Sequence, residues 1–201
     1  VGDAPPPIEM PKQILGDCDF ELTFPVTNGE FHPEVAGNAF GMRVHPVYGN
    51  NNYVGNDGVV KQSGQLFHSG IDIDGPDGAI IVAAHSGTVT YAGYNGSHTP
   101  PQYTDFNQNP TGYYGTEGSG YGYMVKIQTD SCGKTIETLY AHMCCGNSAV
   151  GSSIFVKVGD VVEAGDKLGV IGNTGLSTMR HLHFSMYING TAVDPAPYLE
   201  S

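Results

Sequence analysis

The chain has 201 residues, 29 of them glycine, and a formal net charge of -12 with only eight lysines and arginines. That length suits one domain with an extension and can bury a core without staples. The acidic balance, with no basic patch, excludes the usual electrostatic route to nucleic acid and to anionic walls or lipids; no apolar run reaches the length of a membrane span.

Frequent turn residues between short apolar runs predict an all-β domain. Residues 1–38 are proline-rich without a repeat and are expected to form an N-terminal extension or linker to a domain over 39–201. No basic stretch followed by an apolar one opens the chain at Val1-Gly-Asp-Ala-Pro-Pro-Pro7. That opening reads as processed, so it does not argue for the cytosol. Asp17 to Phe24 alternates polar and apolar and could add an edge strand. Phe40-Gly-Met-Arg-Val-His-Pro46 reads as a turn and a loop, and residues 49–62 as loop.

Leu66 to Asp74 reads as one strand, followed by strands over Ala79–His85 and Gly87–Ala92. Residues 94–122 have little apolar periodicity. A loop of this length is either a solvent-exposed insertion or a groove wall, with Tyr113, Tyr114 and Tyr121 as contacts. Tyr123–Gln128 and Thr135–His142 read as a hairpin turning at Asp130-Ser-Cys-Gly133. Short strands follow at Phe155–Asp160 and Asp166–Gly172, then an alternating strand from His181 to Ile188. Asp194 to Leu199 closes the domain, and no amphipathic helix is predicted.

The four cysteines are Cys18, Cys132, Cys144 and Cys145, and their spacing fits no zinc knuckle. The predicted hairpin puts Cys132 at its tip and Cys144 past its open end, about 30 Å away, beyond disulfide reach. Elimination favours Cys18–Cys132 with a vicinal Cys144–Cys145 bond; four free thiols are the alternative.

The chemistry concentrates in His68-Ser-Gly-Ile-Asp72, Tyr140-Ala-His142 and His181-Leu-His183. Side chains alternate faces along a strand, so even spacing puts His68 with Asp72 and His181 with His183. Together these motifs can deliver three ligands to one metal ion and leave two histidines beside it. A catalytic zinc wants three protein ligands and an open position. Gly70 lets another strand or a substrate backbone approach closely. Asp74 shares the parity of Asp72 but reads as a turn residue before Gly75-Pro76. Each motif alone is weak; their combination is not.

In that order the motifs resemble the lysostaphin and LytM family of zinc metallopeptidases, which cut peptide bonds in bacterial peptidoglycan. The likeness runs from about Phe40 to Leu199. It includes Phe40-Gly-Met-Arg-Val-His-Pro46, which holds Arg43 and His45, then Val156-Lys-Val-Gly-Asp160, Gly172-Asn-Thr-Gly175, Ser177-Thr-Met-Arg-His-Leu-His-Phe184, Asp194-Pro195 and Tyr198-Leu199. The resemblance implies a mainly antiparallel sheet forming a substrate groove, with zinc bound by His68, Asp72 and His183 and catalysis by His142 and His181. It also implies a bacterial protein acting outside the cytoplasmic membrane on peptidoglycan peptides. A monomer without nucleic-acid partner or membrane insertion is expected.

Two departures stand out: Met179-Arg180 where many members have Gly-Pro, and Met143-Cys-Cys-Gly146 after His142. Arg180 reads as a structural or rim residue. Arg43 and His45 read mainly as loop anchors, with a groove contact for Arg43 as the lesser reading. His32, His85 and His98 match no catalytic position and read as surface or packing residues. A non-catalytic peptidoglycan-binding or amidase-activating relative is the main rival. It is disfavoured because all five site residues are present. A biotinyl or lipoyl carrier is disfavoured because Lys157 and Lys167 lie within strand-like pattern, not at a hairpin tip.

Overall fold

The computed structural model describes residues 20–35, 37–44, 53–54, 60–61, 65–95, 120–144, 147–148, 151–152, 154–177 and 179–199. In chain order the strands are β1 (Gly41–Val44), β2 (Tyr53–Val54), β3 (Val60–Lys61), β4 (Gln65–His68), β5 (Ile71–Ile73), β6 (Ile80–Val82), β7 (Gly87–Asn95) and β8 (Gly122–Ser131). They continue with β9 (Lys134–Met143), β10 (Asn147–Ser148), β11 (Gly151–Ser152), β12 (Val161–Val162), β13 (Lys167–Val170), β14 (Leu182–Ile188) and β15 (Thr191–Val193). The helical content of the described residues is one 3-10 turn at Ala196–Tyr198. None of their helices is long and apolar enough to cross a membrane.

A seven-stranded antiparallel sheet organises the molecule in the order β12-β7-β8-β9-β14-β15, with β5 also paired to β14. β9 occupies one edge of β14, and β5 and β15 share the other, at its two ends. β8 and β9 form the predicted hairpin. Cys132 and Gly133, with φ 56° and 67°, turn the chain between Ser131 and Lys134. Positive φ at both central residues matches the right-handed twist of the flanking strands.

One face of this sheet is the core. Val125, Ile127, Ile136, Tyr140, Leu182, Phe184 and Met186 pack there with Ile81 of β6 and Leu168 of β13. Leu22 and Val26 belong to the same core, so the stretch from residue 20 is packed into it. Leu22 donates to the Tyr198 carbonyl and Thr23 to that of Ala84. The opposite face carries Leu139, Ala141, Tyr121 and Tyr187, and with them the site.

Several local expectations are corrected. Leu66–Asp74 is not one strand. It breaks at Ser69-Gly70, with β4 paired to β1 and β5 to β14. Phe40–Pro46 is not simply turn and loop, because Gly41–Val44 pairs with β4. Within 49–62, β2 and β3 pair with each other. Phe155–Asp160 forms no strand, the local pairing being β12 against β7. From Phe20 to Phe24 there is an isolated bridge between Leu22 and Leu199 rather than an edge strand. Cys132 and Cys144 are each disulfide-bonded. Cys18, Cys145, His45, His98, Tyr113 and Tyr114 lie outside the described residues.

Candidate metal centre

His183 and Asp72 face each other across β14 and β5 in direct register. His68, the last residue of β4, completes the group. The donor atoms of His68, Asp72 and His183 all lie within 4.8 Å of one another, and all three residues are buried. His68 Nε2 is 2.9 Å from His183 Nδ1, and Asp72 Oδ1 is 3.1 Å from each.

Gly70 is what allows the chain to bring His68 and Asp72 together from two different sheets. A Cβ there would lie 2.3 Å from the Phe184 carbonyl oxygen and 2.6 Å from Ser185 Oγ. The expected close approach is present, and the approaching strand is β14 itself.

Each imidazole has one nitrogen tied down away from the centre. His68 Nδ1–H donates to the Ala39 carbonyl at 2.8 Å. His183 Nε2 lies 2.8 Å from Ser185 Oγ, which accepts its proton in the tautomer that frees Nδ1 for a metal. The free lone pairs therefore sit on His68 Nε2 and His183 Nδ1, the atoms that converge on Asp72 Oδ1. Such outer hydrogen bonds fix tautomer and ring orientation in metal-binding histidines. Burial, opposed by Asp72, lowers His183 to about 4, so the ring is neutral near pH 7. Burial opposes charge on Asp72, but His181, His183 and His68 outweigh it and hold the carboxyl well below the usual range. Two neutral nitrogens and one carboxylate oxygen are a donor set that zinc accepts.

His142 and His181 reach the same place by irregular backbone. Along β9, Leu139 and Ala141 face the site and Tyr140 faces the core, so a straight strand would bury His142 beside Tyr140. Instead the β8–β9 register shifts between Tyr123 and Val125, and His142 has φ 58°. The bulge swings the ring to the site face. Its centroid lies 5.9 Å from that of His183 and 4.8 Å from that of His181. His142 Nδ1–H donates to the Thr174 carbonyl at 2.7 Å, and Thr174 Oγ1 in turn donates to the Met143 carbonyl. Burial, reinforced by His181 and His183, pushes the His142 pKa well below the ordinary histidine value. Its Nε2 is then a lone pair facing the site.

His181 precedes β14 and bridges to Gly172. Its Nδ1–H donates to the Met179 carbonyl at 2.8 Å, with Ser177 Oγ 3.3 Å away, and its Nε2 lies 3.5 Å from Asp72 Oδ1. All five residues singled out in the sequence thus converge on one point. Tyr121 lies there too, its ring 5.6 Å from that of His183. Burial, helped by Tyr187, pushes the Tyr121 hydroxyl up to about 12, so it stays protonated.

The remaining sequence candidates lie elsewhere or act indirectly. Arg43 anchors its loop through the Gly37 carbonyl, as read, but also binds Asp72. Arg180 pairs with Asp77 and holds the Gly75 carbonyl, behind His181. Asp74 exchanges backbone hydrogen bonds with Glu30. His85 is buried against Phe20 and Thr138, and His32 sits at the surface between Glu30 and Glu34. Sequence reasoning missed Ser185, Thr174 and the Ala39 carbonyl. Ser185 was findable, because it follows His183 by two on the same strand face.

The pattern that defines peptidase family M23 matches residues 66–195. The DD-carboxypeptidase/endopeptidase Mpg of Neisseria meningitidis serogroup B is 30% identical over 156 residues, which is 78% of this chain and 25% of that protein. Lysostaphin of Staphylococcus simulans is 35% identical over 115 residues, 46% of this chain and 23% of lysostaphin. The chain therefore spans about a quarter of the length of these curated relatives. Csd3 of Helicobacter pylori shares the fold, with a TM-score of 0.52 at 23% identity over 91% of this chain and 36% of Csd3. The converging histidines and carboxylate, the antiparallel sheet that carries them and the matched span agree: the chain belongs to peptidase family M23, a family of metallopeptidases.

Proposed function

We propose that the chain is a zinc-dependent endopeptidase that hydrolyses peptide bonds in bacterial peptidoglycan. One observation carries the reading: three donor atoms converge within 4.8 Å, and two further imidazoles with anchored Nδ1–H groups face the same point. The substrate class follows from the resemblance to lysostaphin and LytM.

His68, Asp72 and His183 would hold the zinc. When bound, it supplies Lewis acidity toward water and toward the scissile carbonyl. His142, neutral and with its Nε2 lone pair toward the site, takes the proton from the attacking water. His181 reaches the same point from the other side. When protonated at Nε2 it donates a hydrogen bond to the oxyanion of the tetrahedral intermediate, while His142 passes the proton it took from water to the departing amine. Tyr121 packs its ring on His183, which limits the freedom of that imidazole.

The catalytic domain is assigned to residues 39–201, with the preceding residues an extension whose described part, from residue 20, packs into the domain core. The protein is placed outside the cytoplasmic membrane, where disulfides persist, with Cys18–Cys132 and Cys144–Cys145 as its pairs. It acts as a monomer, with no nucleic-acid partner and no membrane insertion.

Purified peptidoglycan digested with the protein, with and without a zinc chelator, tests the reading. Mass spectrometry should find chelator-sensitive fragments with new amine ends, and those ends identify the bond cut. Absence of cleavage by zinc-loaded protein would count against the endopeptidase assignment.

A further inference from the structure

We propose that Arg43 is a positioning residue: it holds one oxygen of Asp72 so that the carboxylate offers only the other to a metal. The proposal rests on the metal assignment above and assigns Arg43 a task within it. A metal at the site then keeps coordination room for water and substrate.

The two carboxylate oxygens of Asp72 have different partners. Oδ1 faces His68 Nε2 and His183 Nδ1, each at 3.1 Å. Oδ2 instead accepts a hydrogen bond from Arg43 Nη1 at 2.7 Å. The same nitrogen donates to the Gly37 carbonyl at 2.6 Å, so it is fixed from both sides. The pair is largely buried, with the Arg43 side chain 18% exposed and that of Asp72 11%. Charge-assisted hydrogen bonds of this length are the strong ones. Carboxylates bind metals through one oxygen or two, and tying Oδ2 selects the first.

Neighbouring backbone supports the same task. β1 pairs with β4 so that Gly41 lies opposite His68, and the Asn38 carbonyl accepts the Asp72 N–H at 2.9 Å. With the Ala39 carbonyl on His68, residues 37–43 brace two of the three ligand residues. Among the described residues, Arg43 reaches Asp72 and Gly37 through the single nitrogen Nη1, while its Nε is buried without a partner. A lysine ammonium can therefore replace the contact, which is not so where the planar guanidinium fork is used.

Cobalt(II) substitution reads the coordination directly, because its visible bands are intense when four-coordinate and weaken as coordination rises. Wild-type protein should bind one cobalt per chain with intense bands. Arg43→Met should retain one cobalt but show clearly weaker bands, while zinc-enzyme kcat falls by about 10–100-fold with KM little changed. Arg43→Lys should restore the bands, and Met42→Thr, at a solvent-facing site on the same strand, should leave them unchanged. If Met at 43 prevents folding, Arg43→Gln carries the same reading. Bands of wild-type intensity in the Met or Gln variant, or equal weakening by Met42→Thr, would overturn the role of Arg43 alone. Failure of the wild type to bind cobalt would overturn the metal assignment and this proposal with it.

Discussion

The two halves of the site are built in opposite ways. Asp72 and His183 sit on regular strands, opposite each other in register, and each has its outer hydrogen bond in place. His142 and His181 sit where regular structure stops, one in a bulge at φ 58° and the other at an isolated bridge to Gly172 just before β14. A metal needs donors fixed at set distances, which strand register provides. Proton-transfer groups must be aimed at a point beside the metal, which a straight strand would not allow here.

Removing the bulged imidazole should show the largest effect. His142→Ala should lower turnover by about 10²–10⁴-fold, the usual worth of general acid–base catalysis, in a peptide-hydrolysis assay with metal content unchanged. His142→Gly should lose the same activity yet be more stable than the alanine variant by about 1 kcal/mol, since only glycine adopts positive φ without strain. Equal melting temperatures for the two would remove the bulge argument.

On the regular side, Gly70→Ala should force β5 away from β14. Overpacking of this kind costs about 1–3 kcal/mol, and the displaced backbone carries His183, so thermal stability and metal affinity should fall together. Ser185→Ala leaves the His183 Nε2–H without its partner. Metal affinity should drop by about 10-fold, the lower end of outer-partner effects, measured by chelator competition. A drop in turnover without any change in affinity would place Ser185 on the catalytic side of the comparison instead.

The smallest effect concerns pH. Buried His183, lowered to about 4, and buried His85 and His142, also lowered, bind fewer protons folded than unfolded below pH 6.5. Stability of the metal-free protein should therefore rise with pH between about 4 and 6.5 and level off above. Their contribution is present above the unfolded value and is lost as pH falls toward the folded ones. Melting curves at stepped pH check the slope, and a flat profile would mean that these rings are not buried as neutral groups.

This contrast also marks what the sequence could disclose. The alternation of β14 is regular, so the shared face of His183 and Ser185 follows from counting by two. His68 and Asp72 were paired correctly but for a different reason. They lie on β4 and β5, which belong to different sheets, and Gly70 rather than strand parity brings them together. The orientation of His142 left no mark, because a bulge at a non-glycine residue has no compositional signal. Arg43 was read chiefly as a loop anchor because β1 exists only through its pairing with the distant β4, which local pattern does not reveal.

The central claim is that three residues hold the metal and two act beside it, and metal content in paired variants tests it most directly. His183→Ala should lose the zinc, whereas His181→Ala should keep one zinc per chain and lose turnover. If His181→Ala emptied the site, or His183→Ala kept it filled, the division between ligands and catalytic histidines would be contradicted.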